Sequence, residues 1–133
     1  MQNSPRGFHH LALRAHDFDA SVRFYTVGLG CVVTRAWGEG DGRAVMLDAG
    51  NGNALELFAG GAPSPRPEGV LLHFALHADD CDASWQRALQ AGATSKMPPT
   101  TLDVPCQPTA MHIRIAFVYG PDGEEVEFFQ ELS

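Results

Sequence analysis

The chain says one thing twice. His10-Leu-Ala-Leu-Arg-Ala-His-Asp-Phe-Asp-Ala-Ser21 returns 63 residues later as His73-Phe-Ala-Leu-His-Ala-Asp-Asp-Cys-Asp-Ala-Ser84, with eight of twelve positions identical. Each copy then reaches a glutamate set among large apolar residues, Leu55-Glu56-Leu57-Phe58 in the first and Val126-Glu127-Phe128-Phe129 in the second. A repeat of this size cannot bury a sheet by itself. The two copies must pack together, or each must pair with a copy from another chain.

The pattern within each copy predicts the same order of elements. Alternation from Phe8 to Ala15 has period two and reads as a strand. Asp17 or Asp19 can cap a helix through Ser21–Tyr25, which Gly28 or Gly30 ends. Strands follow at 31–37, 43–48 and 54–58, with Gly38–Gly42 as a hairpin loop. The second copy predicts a strand at 71–78, a helix at 83–91 capped by Asp80 or Asp82, and a short strand at 93–97. Strands at 112–119 and 125–131 complete it, and Gly120-Pro-Asp-Gly123 is a turn. Pro98–Met111, rich in Pro and Thr, reads as a long loop, and Gly60–Gly69 as an extended linker. The expectation is an α+β fold of two βαβββ modules, units 8–60 and 70–131. Together they form a curved mixed sheet around a central cleft in one domain spanning 1–133.

Parity places the polar residues. His10, Glu56, His73 and Glu127 each fall opposite the large apolar residues of their strands, and so on the cleft side. A carboxylate on a core-lining face is costly unless it is paired or bound to a cation. Two imidazoles and two carboxylates suit a divalent transition metal, leaving positions open for water or substrate. Arg14 and His77 occupy equivalent positions and are expected to line the cleft. Arg114, alternating with Ile113, Ile115 and Phe117, is expected to face it too, as a contact for a substrate anion. His9 has the helix-facing parity, Trp37 reads as core, and Glu124 and Glu125 as solvated.

Other classes of function are disfavoured. The formal net charge of −7 argues against binding nucleic acid or an anionic membrane. There is no apolar run of membrane-spanning length. Met1–Gly7 lacks a basic-then-apolar leader pattern, which sets a cytoplasmic location as the expectation. Cys31, Cys81 and Cys106 are odd in number and widely spaced, so they read as isolated thiols.

These motifs resemble the vicinal-oxygen-chelate superfamily, which includes glyoxalase I, fosfomycin- and bleomycin-resistance proteins, methylmalonyl-CoA epimerase and extradiol dioxygenases. The resemblance rests on His10-x-Ala-Leu-Arg14 with Asp17, and on Phe24-Tyr25 before Gly28-Leu-Gly30. Leu55-Glu56-Leu57, His73-Phe-Ala-Leu and Gly120-Pro-Asp-Gly123 with Val126-Glu127-Phe128 complete it. It implies a glyoxalase-type ligand set, His10, Glu56, His73 and Glu127, around one divalent ion. Nickel or cobalt is favoured by the short chain, with zinc as the other choice.

The activity implied is a lyase or isomerase reaction on a hemithioacetal or related oxygenated substrate, through a metal-stabilised enediolate. Glu127 is the preferred base and Glu56 its pseudosymmetric partner. The protein is expected to be a homodimer. Arg14 matches a contact to the glutathione carboxylate, but the companion Asn expected four residues after Glu56 is Gly60. The resemblance therefore extends to a thiol adduct more securely than to glutathione. Two alternatives are a bleomycin-resistance-type binding protein without turnover, and an iron(II) extradiol dioxygenase. Glu56 counts against the second, because such enzymes use a three-ligand triad.

Overall fold

The computed structural model describes residues 7–63 and 71–132. The chain divides into two compact units, Met1–Pro63 and Ser64–Ser133. The boundary falls in the expected linker, of which 64–69 lie outside the described residues.

The first unit runs β1 (His10–Arg14), α1 (Phe18–Arg23), a π-helical turn (Phe24–Gly28), β2 (Val32–Trp37), β3 (Ala44–Gly50) and β4 (Asn53–Phe58). Its sheet has the order β1-β4-β3-β2, with β1 parallel to β4 and the other pairs antiparallel. Asp17 caps α1 by accepting the Ala20 N–H at 3.1 Å, which satisfies an orphan donor of the first turn. Tyr25, Phe24, Leu47, Leu55 and Leu57 form the buried side. Trp37, expected in the core, is 43% exposed on the edge strand β2 and meets Phe58 edge-on at 6.5 Å. An edge strand has a neighbour on one side only, so its alternation signals less burial than that of a central strand.

The second unit repeats the order: β5 (Phe74–His77), α2 (Cys81–Gln90), β6 (Thr94–Val104), β7 (Met111–Tyr119) and β8 (Glu125–Glu131). Its sheet has the order β5-β8-β7-β6, again mixed, with β5 parallel to β8. Asp80 caps α2 through the Ala83 N–H at 3.0 Å. Val118, Val126, Phe128, Ala116, Ala88 and Cys81 supply its core. The β-α-β-β-β order is therefore present in both halves, and each half carries its own four-stranded sheet.

One expected loop is largely a strand. Residues 98–104 belong to β6, an edge strand paired with β7. Pro98 and Pro99 sit where the register shifts between Met97 and Thr100. There the ladder requires no N–H from them, which is how an edge strand accommodates proline. Only 105–110 remain as the connection to β7.

The turn before β8 shows why Gly120 stands there. A Cβ at this position would meet the carboxyl carbon of Glu124 at 2.5 Å. That carboxylate accepts the Asp122 N–H at 2.8 Å, so Glu124 closes the turn instead of lying free in solvent. Glu125, also expected to be solvated, is 8% exposed and ion-paired with Lys96.

Burial separates the thiols. It pushes the Cys31 and Cys81 thiols up to about 11, and Cys81 donates to the Phe128 carbonyl at 3.6 Å. Both stay protonated, and therefore poor nucleophiles, until the pH approaches that value. Alkylation by iodoacetamide at pH 8 is expected to label Cys106 first, with Cys31 and Cys81 slower by at least about tenfold. Raising the pH toward 11 should speed labelling at the two slow sites. Peptide mass mapping reads this, and equal rates at all three would refute it.

Candidate metal-binding pairs

The parallel ladders build the same arrangement twice. In the first unit Ala12 is the register partner of Glu56, and in the second Ala75 is the partner of Glu127. His10 and His73 each stand two residues before those alanines, so each histidine shares the glutamate's face one pleat upstream. The imidazoles reach across. His10 Nε2 lies 3.3 Å from Glu56 Oε1, and His73 Nε2 lies 3.1 Å from Glu127 Oε1.

The neighbours on each glutamate's strand hold its face. Leu55 and Leu57 are buried on the other side of β4, as are Val126 and Phe128 on β8. The carboxylates are themselves mostly covered, with 14% of the Glu56 side chain and 10% of the Glu127 side chain exposed. Burial pushes the Glu127 carboxyl above its ordinary value, and His73 beside it opposes that shift. The histidine rings differ in their second contacts. His73 meets Phe117 edge-on at 5.1 Å, and Phe117 is the register partner of Glu127 across β7. His10 meets His9.

Ligand atoms bound at about 2.0–2.2 Å to one ion lie roughly 3 Å from their neighbours around it. Each imidazole–carboxylate pair has that separation and the neutral-N, anionic-O chemistry a divalent transition metal takes. Each pair by itself fits two of the positions around such an ion. Among the described residues no three His, Cys, Asp or Glu side chains gather into a group that could hold a metal ion.

The substrate-contact expectations divide. Arg14 lies on the Glu56 side of its sheet, beside Phe58 in the register. Its Nη1 donates to the Ala59 carbonyl at 3.0 Å, and its guanidinium stands 5.4 Å from the Phe58 ring centre. His77 holds the equivalent place beside Phe129. Arg114 is a correction. Its register partners are Thr101 and Gln130, and Gln130 accepts the Cys81 N–H of α2 at 2.9 Å. Arg114 therefore lies on the helix side, where it grips Asp82 at 2.6 and 2.9 Å and donates to Thr101 at 2.8 Å. The bidentate pair lowers the Asp82 carboxyl, first through its hydrogen bond from Arg114. The charge is satisfied within the module, so Arg114 is a tie between β7 and α2.

Gly60, where an Asn was expected, has φ +84. A Cβ there would press on the Asp41 carbonyl at 3.1 Å. The hollow of about 650 Å³ beside it is lined by His16, Asp17, Asp19, Asp41 and Arg43, and includes neither His10 nor Glu56.

The fold and the paired histidines and glutamates define a class, and comparison bears it out. Residues 7–128 match the glyoxalase/bleomycin resistance protein/dioxygenase superfamily, and the chain belongs to it. It is similar to the uncharacterised protein YwbC of Bacillus subtilis (strain 168), 29% identical over 125 residues that cover 91% of this chain and 94% of that one. Its fold resembles TnmS3, an antibiotic binding protein from Streptomyces sp. CB03234 (TM-score 0.71, 19% identity, 98% of each chain). It also resembles the fosfomycin resistance protein FosX from Listeria monocytogenes, solved with Mn(II) and a dihydroxypropylphosphonic acid. That match has a TM-score of 0.70 and 16% identity, and covers 94% of this chain and 90% of that one.

Proposed function

We propose that this protein is a metal-dependent lyase or isomerase of the glyoxalase I type. Its substrate in this reading is a hemithioacetal or a related small oxygenated molecule. The observation that carries the reading is the imidazole–carboxylate pair built at the same ladder position in both repeats. His10, Glu56, His73 and Glu127 would hold one divalent ion per site, nickel or cobalt before zinc. When bound, the ion supplies Lewis-acid polarisation of substrate oxygens.

The chain's own residues do the rest. Glu127 is the base, taking a proton from one substrate carbon and returning it to the next. A carboxyl with raised proton affinity suits that shuttling. Glu56 stands in the matching place as its partner. Arg14, steadied by Ala59 and Phe58, offers the remaining N–H groups of its guanidinium to a substrate anion, and His77 stands at the equivalent place. The reading includes a homodimer.

A second reading is a protein that holds a small molecule without turnover. The exposed Trp37, set against Phe58, favours it, as does the fold shared with an antibiotic binding protein.

Elemental analysis of wild type and Glu56→Gln, with methylglyoxal–glutathione turnover after Ni²⁺, Co²⁺ or Zn²⁺ loading, separates the two. The expected result is about one metal per four-ligand site, weakened in the variant, with turnover. Metal without turnover would leave the ligand set and change the substrate. No metal under any loading would sink the ligand set and leave the binding protein.

A further inference from the structure

His9 lies beside the first histidine–glutamate pair, and the proposed function leaves it without a role. It stands just before β1, where its carbonyl accepts the Ala54 N–H at 3.2 Å. Its Nδ1 lies 3.0 Å from Nδ1 of His10, and the two rings meet edge-on at 5.2 Å and 86°. On the other side of the ring, His10 Nε2 faces Glu56 at 3.3 Å. Both nitrogens of His10 are therefore engaged, in the line His9–His10–Glu56.

The second repeat is built differently. The offset of 63 puts Leu72 where the first repeat has His9. There the histidine packs edge-on against Phe117. An aromatic contact fixes how a ring is oriented, but it neither gives nor takes a proton. The two repeats thus hold matching histidines by different means.

A neutral imidazole has one N–H and one lone pair. With Nε2 beside a carboxylate, the proton of His10 belongs on Nε2. Nδ1 is then an acceptor, and His9 must donate to it. For Nε2 to offer its lone pair to a cation, the proton of His10 must sit on Nδ1 instead, and His9 must accept it. A second imidazole can do either.

We propose that His9 is a positioning residue that holds His10 through Nδ1 in either tautomer, donating to Nδ1 in the metal-free protein and accepting from it when Nε2 binds a cation. The change balances without any co-reactant. The Nδ1 proton of His9 moves to His10 Nδ1, the Nε2 proton of His10 leaves to water, and His9 Nε2 takes one from water. Each ring ends neutral with one proton. Partners of this kind orient metal-binding histidines and raise their basicity.

The proposal rests on His10 being a metal ligand, and the test separates the two claims. Full-length protein labelled with ¹⁵N-histidine is compared as wild type, His9→Leu, His9→Gln and His10→Ala. Long-range ¹H–¹⁵N spectra read the His10 tautomer in the metal-free and Zn²⁺-loaded states, and calorimetry reads the Zn²⁺ and Ni²⁺ affinities. His9→Leu, which copies the second repeat, should weaken metal binding by roughly ten- to a hundredfold. It should also move the His10 Nδ1 resonance in both states, because Nδ1 loses its hydrogen-bond partner while Nε2 keeps its own. His9→Gln, whose amide both donates and accepts, should restore most of the affinity. A His10 Nδ1 resonance left unmoved in metal-free His9→Leu would overturn the proposal. Wild-type metal affinity in His10→Ala would instead overturn the ligand assignment, and the metal-free spectra would still decide the role of His9.

Discussion

Glutamine in place of Glu127 is expected to lower turnover of the methylglyoxal–glutathione hemithioacetal by about 10²–10⁴-fold, the range of a lost general base. The substitution keeps the shape of the side chain, so Val126 and Phe128 on either side hold the strand as before. It removes the charge that the proposed function uses as both metal donor and proton acceptor. The same change at Glu56 should weaken metal binding and cost less in kcat. Glu127 is the more buried carboxylate of the two and the one whose proton affinity burial raises. Steady-state kinetics at saturating Ni²⁺ separates these effects. Turnover of Glu127→Gln within about tenfold of wild type would move the base elsewhere.

Phe128→Ala is expected to cost about 3–5 kcal/mol of stability. Phe128 is 3% exposed, and its backbone carbonyl takes the Cys81 thiol. Truncation would open a cavity against Ala116 and Val126, which lie on the same side of the sheet. A loss of that size is a large part of the stability of an ordinary domain. Trp37→Ala, on the exposed edge strand, should cost far less, about 1 kcal/mol or below. Urea unfolding followed by circular dichroism measures both. A Phe128→Ala midpoint close to wild type would mean that the second module's core lies elsewhere.

What the sequence shows most clearly is local and periodic. Leu55-Glu56-Leu57 and Val126-Glu127-Phe128 alternate cleanly, so strand and facing follow from the residues alone. The caps are legible to within two residues, Asp17 or Asp19 and Asp80 or Asp82, and the structure selects Asp17 and Asp80. Where reading failed, a neighbour in space had decided the matter. Proline argued for a loop at 98–104, yet an edge strand with a register shift tolerates it. Arg114 was placed by its alternation with Ile113 and Ile115. Ala116 and Val118 share its parity and are fully buried, which was the signal for the helix side. Its charge is met by Asp82, 32 residues away in the chain. Glu125 is buried with Lys96 paired to it, from 29 residues away in the chain. His9 looked helix-facing by parity, but it precedes the strand and does not obey the strand's alternation.

From His10 to Glu56 is a separation of 46 residues, and from His73 to Glu127 it is 54. Yet Ala12 meets Glu56 as Ala75 meets Glu127, rung for rung. Most of the surplus length is in the strands of the β6–β7 hairpin, with β6 at 11 residues against 6 for β2 and β7 at 9 against 7 for β3. That hairpin lies downstream of the histidine and upstream of the glutamate, and the ladder between them absorbs none of the difference. Chain length at the rim is therefore decoupled from chemistry at the rung. Insertions at 105–110 can accumulate, shrink or be exchanged over generations while the paired side chains keep their spacing.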